Sequence, residues 1–240
     1  MNPYSPEDYG ERVAGVYDEW YSDYEPQAID TLADLAQGGK ALELGIGTGR
    51  IALPLSAKGV DVHGIDAAES MISRLRSKAG GDRISVTQGN FAEVPVDGEF
   101  ALVYIVFNTF FMLPSQEEQV RCFRNIAEHL APGGCFAIEV FVPDVTRFRG
   151  GQVNWATKVT DDEVLLDVGN HDSLTQRVVN QKVVITEGNV RLYPSQIRYC
   201  WPSELDLMAQ LAGLRLRERW SNWKREPLTS ESTKHISIYE

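Results

Sequence analysis

One stretch decides the fold of this 240-residue chain, namely Ala41-Leu-Glu-Leu-Gly45-Ile-Gly-Thr-Gly-Arg50. Its first four residues form a strand pattern, and the glycines at 45, 47 and 49 form a turn that leads into a helix pattern. Glycine permits positive φ and lets a ligand approach the main chain closely. Open α/β sheets bind ligands at the carboxyl ends of their strands. The stretch therefore predicts a ligand-binding loop in an α/β fold.

The residues around this loop alternate between strand and helix patterns. We predict strands at 40–44, 60–65, 83–88, 100–106 and 135–142, with helices at 48–58, 68–78 and 116–130. This alternation is typical of βαβ units, which build a parallel sheet with right-handed crossovers. The apolar run 100–106 suits a central strand that is buried on both faces.

The two ends of the chain and its third quarter follow different patterns. Two helices precede the first strand, one with apolar residues at helical spacing from Tyr9 to Trp20 and one at 25–37. Between 150 and 200, short β segments alternate with turns at 161–162, 169–170 and 188–189, which predicts an antiparallel insert. A helix at 202–211 and strands at 214–220 and 234–239 close the chain.

Composition limits the function classes. The formal net charge is -11, from 34 acidic and 23 basic residues, so nucleic acid and membrane surfaces are poor partners. The three cysteines are widely spaced and include no CxxC pair, which excludes a disulfide framework and a thiolate zinc site. Since no signal peptide and no long apolar stretch occur, we expect a cytoplasmic protein, either a monomer or a homodimer.

The spacing of the loop separates possible cofactors. A dinucleotide fingerprint would place glycine where Arg50 stands, and a phosphate-binding P-loop would need Gly-Lys-Ser/Thr at the helix start. An acid at Glu43 suits the positive amine and sulfonium of S-adenosylmethionine (SAM) and would repel a phosphate. Asp66, at the end of the second strand, can accept hydrogen bonds from both ribose hydroxyls of either NAD or SAM. Asn90 and Phe91 follow the third strand and could bind an adenine ring.

Together these motifs resemble the class I SAM-dependent methyltransferase family. Glu43–Gly49 is similar to the family's first motif, Asp66 to its second-strand acid, 89–91 to its adenine motif and 130–134 to the turn before its fifth strand. The resemblance implies an α/β Rossmann-like fold with a seven-stranded, mostly parallel sheet and helices on both faces. It also implies an N-terminal helical lid and an antiparallel β insert.

The resemblance also assigns candidate site residues. The cofactor, SAM (product S-adenosylhomocysteine), would contact Tyr17, Glu43, Gly45, Gly47, Gly49, Asp66, Ala67, Met71, Asn90, Phe91 and Phe107. The acceptor would contact Tyr21, Asn108, Phe110 and Trp201. We expect a single methyltransferase domain over 1–240, made of a lid at 1–38, a SAM-binding core at 40–142, an insert at 150–200 that forms the acceptor pocket, and a closing segment at 201–240.

We therefore expect a SAM-dependent enzyme that methylates an O or N atom of a small molecule, in particular a secondary metabolite, by in-line SN2 transfer. A hydroxyl or ammonium acceptor would require a base, for which His171 and Tyr199 are candidates. No His, Asp or Glu cluster has metal-ligand spacing, so no metal is expected. A protein or RNA methyltransferase and a non-catalytic SAM-binding protein are the alternatives. The sequence leaves the acceptor atom and the pathway open.

Overall fold

The computed structural model describes residues 6–240 and contains two β-sheets. The helices are α1 (Pro6–Val13), α2 (Tyr17–Trp20), α3 (Pro26–Ala36), α4 (Ala52–Ala57), α5 (Glu69–Ser77), α6 (Gln116–Glu128) and α7 (Pro202–Leu211). The strands are β1 (Ala41–Leu44), β2 (Val62–Asp66), β3 (Ser85–Gln88), β4 (Phe100–Ile105), β5 (Leu130–Phe141), β6 (Gln152–Val159), β7 (Glu163–Asp172), β8 (Arg177–Thr186), β9 (Asn189–Arg198), β10 (Leu216–Trp220) and β11 (Lys234–Tyr239).

The larger sheet has seven strands in the order β10-β11-β5-β4-β1-β2-β3. All its neighbouring strands are parallel except where β11 pairs with β5 and β10. The direction in which successive strands are added to the sheet reverses beside β1, because β2 lies on one side of β1 and β4 on the other. Ligands bind at such a switch point in open α/β sheets. The predicted Rossmann-like sheet is confirmed, and its topology places the candidate site at the carboxyl ends of β1 and β4.

Helices cover both faces of this sheet, as the sequence predicted. Leu42 and Leu44 point to the face covered by α6 and α7, where Phe123 and Met208 complete one apolar core. Ala41 points to the opposite face, where α3 and α4 complete a second core. The alternation along β1 follows from the two-residue repeat of a strand, and burial on both faces explains why β1 is apolar. Glu43 is the exception, and its surroundings are described below.

The insert is a separate four-stranded antiparallel sheet in the order β6-β7-β8-β9. Its strands are longer than the short segments that we predicted, and the predicted turn at 169–170 is wrong, since both residues pair inside β7. Gly169 occurs there because a Cβ would lie 2.9 Å from Asn180 Oδ1 and 3.0 Å from Val179 O. Glycine in this strand therefore marks a close approach between neighbouring strands and not a turn.

The N-terminal segment bends where one helix was predicted. The apolar spacing from Tyr9 to Trp20 is divided between α1 and α2, with turn residues 14–16 between them. Gly10 allows α1 to lie close to the start of α5, because a Cβ on it would stand 2.4 Å from Ala68 Cβ. Residues 1–5 of the predicted lid lie outside the described residues.

All three cysteines are free and buried. Over residues 6–240, none of the helices combines the length and the apolar composition that a membrane crossing requires.

Candidate active site

The glycine-rich loop connects β1 to α4, and at two positions both its backbone conformation and its surroundings strongly favour glycine. Gly45 has φ of +71°, and a Cβ on it would lie 2.4 Å from Thr109 Cγ2. Gly49 has φ of +78°, and a Cβ there would lie 2.0 Å from Leu75 Cδ1. Positive φ together with these close approaches explains the glycines of the motif. The loop thus leaves main-chain atoms exposed to a ligand.

Asp66 lies beside this loop and is fixed by main-chain amides. Its two carboxylate oxygens accept hydrogen bonds from Gly47 N at 2.7 Å and from Ala68 N at 2.9 Å. Burial raises the pKa of Asp66, and the amide hydrogen bonds oppose that shift. Because each oxygen of a carboxylate has two acceptor positions, Asp66 can still accept hydrogen bonds from a ligand.

A cavity of about 410 Å³ extends from the loop, and we call it the loop cavity. Eight of the eleven residues predicted to contact the cofactor line it, namely Tyr17, Gly45, Gly47, Asp66, Ala67, Met71, Asn90 and Phe91. Residues that the sequence analysis did not assign also line it, including Tyr9, Gln88, Thr109 and Met112. The carboxyl ends of β1, β2 and β3 meet at this cavity, as the parallel topology requires.

Glu43 takes a different position from the predicted one. Its side chain is buried on the face of the sheet covered by α3 and α4, and its Oε2 accepts a hydrogen bond from Tyr104 OH at 2.9 Å. Burial raises the pKa of Glu43 to about 8. Since Glu43 does not line the loop cavity, the structure favours support of the loop over direct contact with a ligand. Gly49 also packs under the loop and does not line the cavity.

The lid helix α2 is attached to the loop by Asp18, which the sequence analysis did not identify. The Asp18 carboxylate accepts hydrogen bonds from the Thr48 hydroxyl at 2.6 Å and from Lys78 Nζ at 2.8 Å. Burial opposes ionisation of Asp18, but these hydrogen bonds outweigh it and leave the pKa of the carboxyl lowered. The lid is thus held over the glycine loop by a charged contact with both the loop and α5.

A second cavity, of about 370 Å³, lies between the lid, the segment after β4 and the insert, and we call it the central cavity. Its aromatic wall contains Tyr17, Tyr21 and Phe107. The ring centroid of Tyr21 lies 5.1 Å from that of Tyr17 and 5.2 Å from that of Phe107. Trp20 meets Tyr193 of the insert edge-to-face at 4.8 Å. Such a wall is suited to an apolar or ring-containing ligand.

The predicted acceptor residues divide into two groups. Tyr21 and Asn108 line the central cavity. Phe110 does not fit its predicted role, because its side chain is fully buried against Phe123 in the core. Trp201 is 41% exposed beside Tyr199 and lines neither the loop cavity nor the central cavity. Phe107, predicted as a cofactor contact, lines the central cavity instead.

His171 and Tyr199, the predicted bases, contact each other but not these cavities. His171 Nε2 lies 2.9 Å from Tyr199 OH, and its ring stacks on Phe148 at 4.2 Å. Tyr199 is buried, which raises the pKa of its hydroxyl. Neither residue lines the loop cavity or the central cavity. Tyr199 instead lines a smaller cavity beneath the insert, which is described below, and His171 lies behind it.

The charged residues of the central cavity come from the insert. Asp167 and Lys182 lie opposite each other on β7 and β8, with Lys182 Nζ 3.2 Å from Asp167 Oδ1. That oxygen is buried and has no hydrogen bond in the structure of residues 6–240. The pairing was missed because it depends on the β7–β8 register, which the wrongly predicted turn at 169–170 concealed.

Comparison with known proteins is consistent with this arrangement. A sequence-family profile described as a methyltransferase domain matches residues 41–134. The structure of the CcbJ methyltransferase from Streptomyces caelestis is similar to this chain with a TM-score of 0.93 and 37% identity, and the match covers 99% of both chains.

Two further relatives have more distant sequences. The cypemycin N-terminal methyltransferase of a Streptomyces species is 27% identical over 204 residues, which are 85% of this chain and 83% of that protein. The sugar N-methyltransferase KedS8 of a Streptoalloteichus species has a TM-score of 0.67 at 15% identity, covering 93% of this chain and 92% of that one. This second similarity extends to the fold alone.

Proposed function

Since this chain belongs to the class I SAM-dependent methyltransferases, we propose that it transfers the methyl group of SAM to an amine nitrogen of a small molecule bound in the central cavity. The proposal rests mainly on the continuity of two cavities. Tyr9, Tyr17, Thr109 and Met112 line both the loop cavity and the central cavity. A donor bound in the first and an acceptor bound in the second would therefore face each other across these four side chains.

The residues of the loop cavity suit SAM chemically. Asp66 would accept hydrogen bonds from the ribose hydroxyls, and the open main chain at Gly45 and Gly47 would lie beside the amino acid end. Asn90 Oδ1 already accepts a hydrogen bond from Ala92 N at 2.9 Å, which leaves the amide nitrogen of Asn90 available to donate to an adenine ring nitrogen. Phe91 and Met71 would contact the faces of that ring. SAM, when bound, supplies a methyl group on a positively charged sulfonium.

The contribution of the chain to transfer is alignment and exclusion of water. An activated methyl donor needs a nucleophile held in line with the methyl carbon, and positioning of this kind can supply several kcal/mol. The lid, fixed by Asp18, would close one side of both cavities, and its Tyr17 and Tyr21 together with Phe107 would limit the entry of water. Burial raises the pKa of Tyr17 to about 12, so its hydroxyl stays protonated near neutral pH and can act only as a neutral hydrogen-bonding group.

Asp167 favours an amine over a hydroxyl acceptor. Lys182 Nζ donates a hydrogen bond to Asp167 Oδ2 at 3.4 Å, whereas Oδ1 accepts none and keeps acceptor positions that a substrate N–H could fill. A neutral amine could donate an N–H to Asp167 and still attack through its lone pair, and the methylated ammonium product would leave with its own protons. A hydroxyl would instead have to lose its only proton to the carboxylate. Lys182 keeps the carboxylate paired when no acceptor is bound. The name of the cypemycin N-terminal methyltransferase also states a nitrogen acceptor, which is consistent with this proposal.

The function is tested with methyl-labelled SAM and an extract of the cells that make the protein. We expect the label to appear in the small-molecule fraction and to be absent from precipitated protein and RNA. An Asp66→Ala variant assayed in the same extract provides the blank, because it should bind SAM poorly. Label in the precipitate would replace this proposal with methylation of a protein or an RNA.

A further inference from the structure

A third cavity, of about 170 Å³, lies beneath the insert and has no part in the proposed function so far, and we call it the distal cavity. It is bounded by the inner face of the insert and by the segment that follows β5. Most of its walls are apolar, and they include Phe141, Phe148, Val153, Val178 and Ile197. The polar residues of its lining include Asp167, Asn180, Ser195 and the hydroxyl-bearing Tyr199.

The distal cavity continues the central cavity. Asp167, Asn180 and Ser195 line both of them. The register of the insert explains how charged, polar and apolar side chains follow one another on its inner face. Asp167 lies opposite Lys182, Asn180 opposite Ser195, and Val178 opposite Ile197. Along β8 the inner face therefore changes from the charged Lys182 to the polar Asn180 and then to the apolar Val178.

An arginine and a tryptophan form the rim of the distal cavity. The Arg147 guanidinium lies 3.8 Å from the centroid of the Trp155 ring, and both residues line the cavity. Trp155 is 37% exposed, although it lies on the inner side of the insert. Partial exposure of a large aromatic ring at a cavity rim is typical of a binding surface.

From these observations we propose that the acceptor is an amine with an apolar substituent, either a ring or a branched alkyl group, that occupies the distal cavity. The inference rests on the proposed function and specifies its substrate class. Asp167 would bind the nitrogen at the junction, Asn180 and Ser195 would contact polar atoms of the linking part, and the apolar walls would enclose the substituent. An apolar cavity of roughly 150 Å³ accepts a benzene molecule, so one ring is the size expected here.

The proposal is tested with a series of ω-phenylalkylamines, from benzylamine to 4-phenylbutylamine, beside n-propylamine, with methyl-labelled SAM as donor. We expect kcat/KM to rise at least about tenfold over n-propylamine at the chain length that places the ring in the distal cavity. The variant Val178→Phe, which fills the cavity, should remove that gain. Val179→Phe is the matched control, because Val179 is the next residue of β8, points to the outer face and is 44% exposed.

A second measurement separates folding and function from the inference. Calorimetry with S-adenosylhomocysteine verifies that each variant is folded, and Val153→Phe provides a smaller change on the edge strand β6 if Val178→Phe does not fold. Calorimetry can also show that 4-phenylbutylamine binds and that Val178→Phe weakens this binding. If no phenylalkylamine were methylated in that case, the subsite would be supported and the amine function contradicted. The distal subsite would be overturned if n-propylamine and the phenylalkylamines were methylated with equal kcat/KM and if Val178→Phe left these values unchanged. The proposed function would then remain intact.

Discussion

The Asp18 carboxylate of the lid accepts a hydrogen bond of 2.6 Å from the Thr48 hydroxyl of the glycine loop. Lys78 donates to the same carboxylate and also to Thr48 O at 2.8 Å. Three elements distant in sequence thus meet at one charged contact. Because α2 and the glycine loop both line the loop cavity, we expect this contact to affect cofactor binding.

The first prediction concerns this contact. Asp18→Ala should weaken S-adenosylhomocysteine binding by about tenfold, since a hydrogen-bonded charge pair contributes roughly 1.5 kcal/mol to the closed lid. Isothermal titration calorimetry measures the effect. Glu19→Gln is the control, because Glu19 lies on the same helix and is exposed. Equal affinities in wild type and Asp18→Ala would show that the lid does not contribute to cofactor binding.

The second prediction concerns Asp66. Asp66→Ala should reduce affinity for S-adenosylhomocysteine by at least about 30-fold, because hydrogen bonds to a charged group contribute roughly 1.5–3 kcal/mol and because Gly47 N loses its acceptor. Asp61→Ala, an exposed change just before β2, should leave the affinity as it is. Calorimetry compares the two, and the ribose assignment is rejected if both variants bind like the wild type.

The third prediction compares two glycines with positive φ. Gly45→Ala combines a left-handed backbone with a Cβ 2.4 Å from Thr109 Cγ2, whereas Gly59→Ala has φ of +92° and open space around the added methyl group. The left-handed conformation costs a residue with a Cβ roughly 1–2 kcal/mol. Gly59→Ala should lose only that stability in urea denaturation and keep its cofactor affinity. Gly45→Ala should lose both stability and cofactor affinity. Normal cofactor binding by the Gly45→Ala variant would contradict the described loop geometry.

The fourth prediction is a pH dependence. The folded protein holds a proton on Glu43 up to about pH 8, whereas an unfolded glutamate releases it near its ordinary pKa of 4.5. The folded state therefore binds more protons between these values, and the free energy of unfolding should fall as pH rises from about 5 to about 8. Glu43→Gln lacks this group and should show a flatter profile, with a relative change on the order of 1–3 kcal/mol.

Urea denaturation of the protein without cofactor, measured at several pH values, follows this change. The exposed substitution Glu231→Gln is the control and should keep the wild-type pH profile. Parallel profiles for wild type and Glu43→Gln would mean that Glu43 is ionised throughout this range.

The fifth prediction concerns Asp167. Asp167→Asn should raise KM for amine acceptors by about tenfold or more with a smaller change in kcat, because the nitrogen loses its ionised partner and Lys182 is left unpaired. Asp162→Asn, in the exposed β6–β7 turn, should leave both constants unchanged. Steady-state kinetics with a methylated amine provides the comparison, and an unchanged KM in Asp167→Asn would remove Asp167 from the acceptor site.

The sequence predicted the sheet and most of the loop cavity because both depend on local patterns. Glycine spacing, strand–helix alternation and a strand-end acid such as Asp66 are all visible within a few residues. The buried position of the Glu43 side chain could not be predicted, because it depends on Tyr104, which the neighbouring strand β4 carries. The same holds for Asp167 and Lys182, whose proximity depends on the register of two strands and not on any motif.

The lid shows a further limit. Apolar spacing from Tyr9 to Trp20 predicted one helix, and it did not reveal the bend between α1 and α2. His171 and Tyr199 were selected by residue type, and packing of the insert placed them behind the central cavity. The family resemblance therefore suggested the reaction, while tertiary contacts determine which side chains line the two cavities.

The central claim, transfer of a methyl group to an amine nitrogen of a small molecule, is tested most directly by SAM with a ¹³C-labelled methyl group. The enzyme is incubated with the small-molecule fraction of the cell extract, and heteronuclear NMR of the labelled product identifies the atom bonded to the new methyl carbon. We predict a methyl carbon bonded to nitrogen. A methyl carbon bonded to oxygen, or label found only in protein or RNA, would contradict the account.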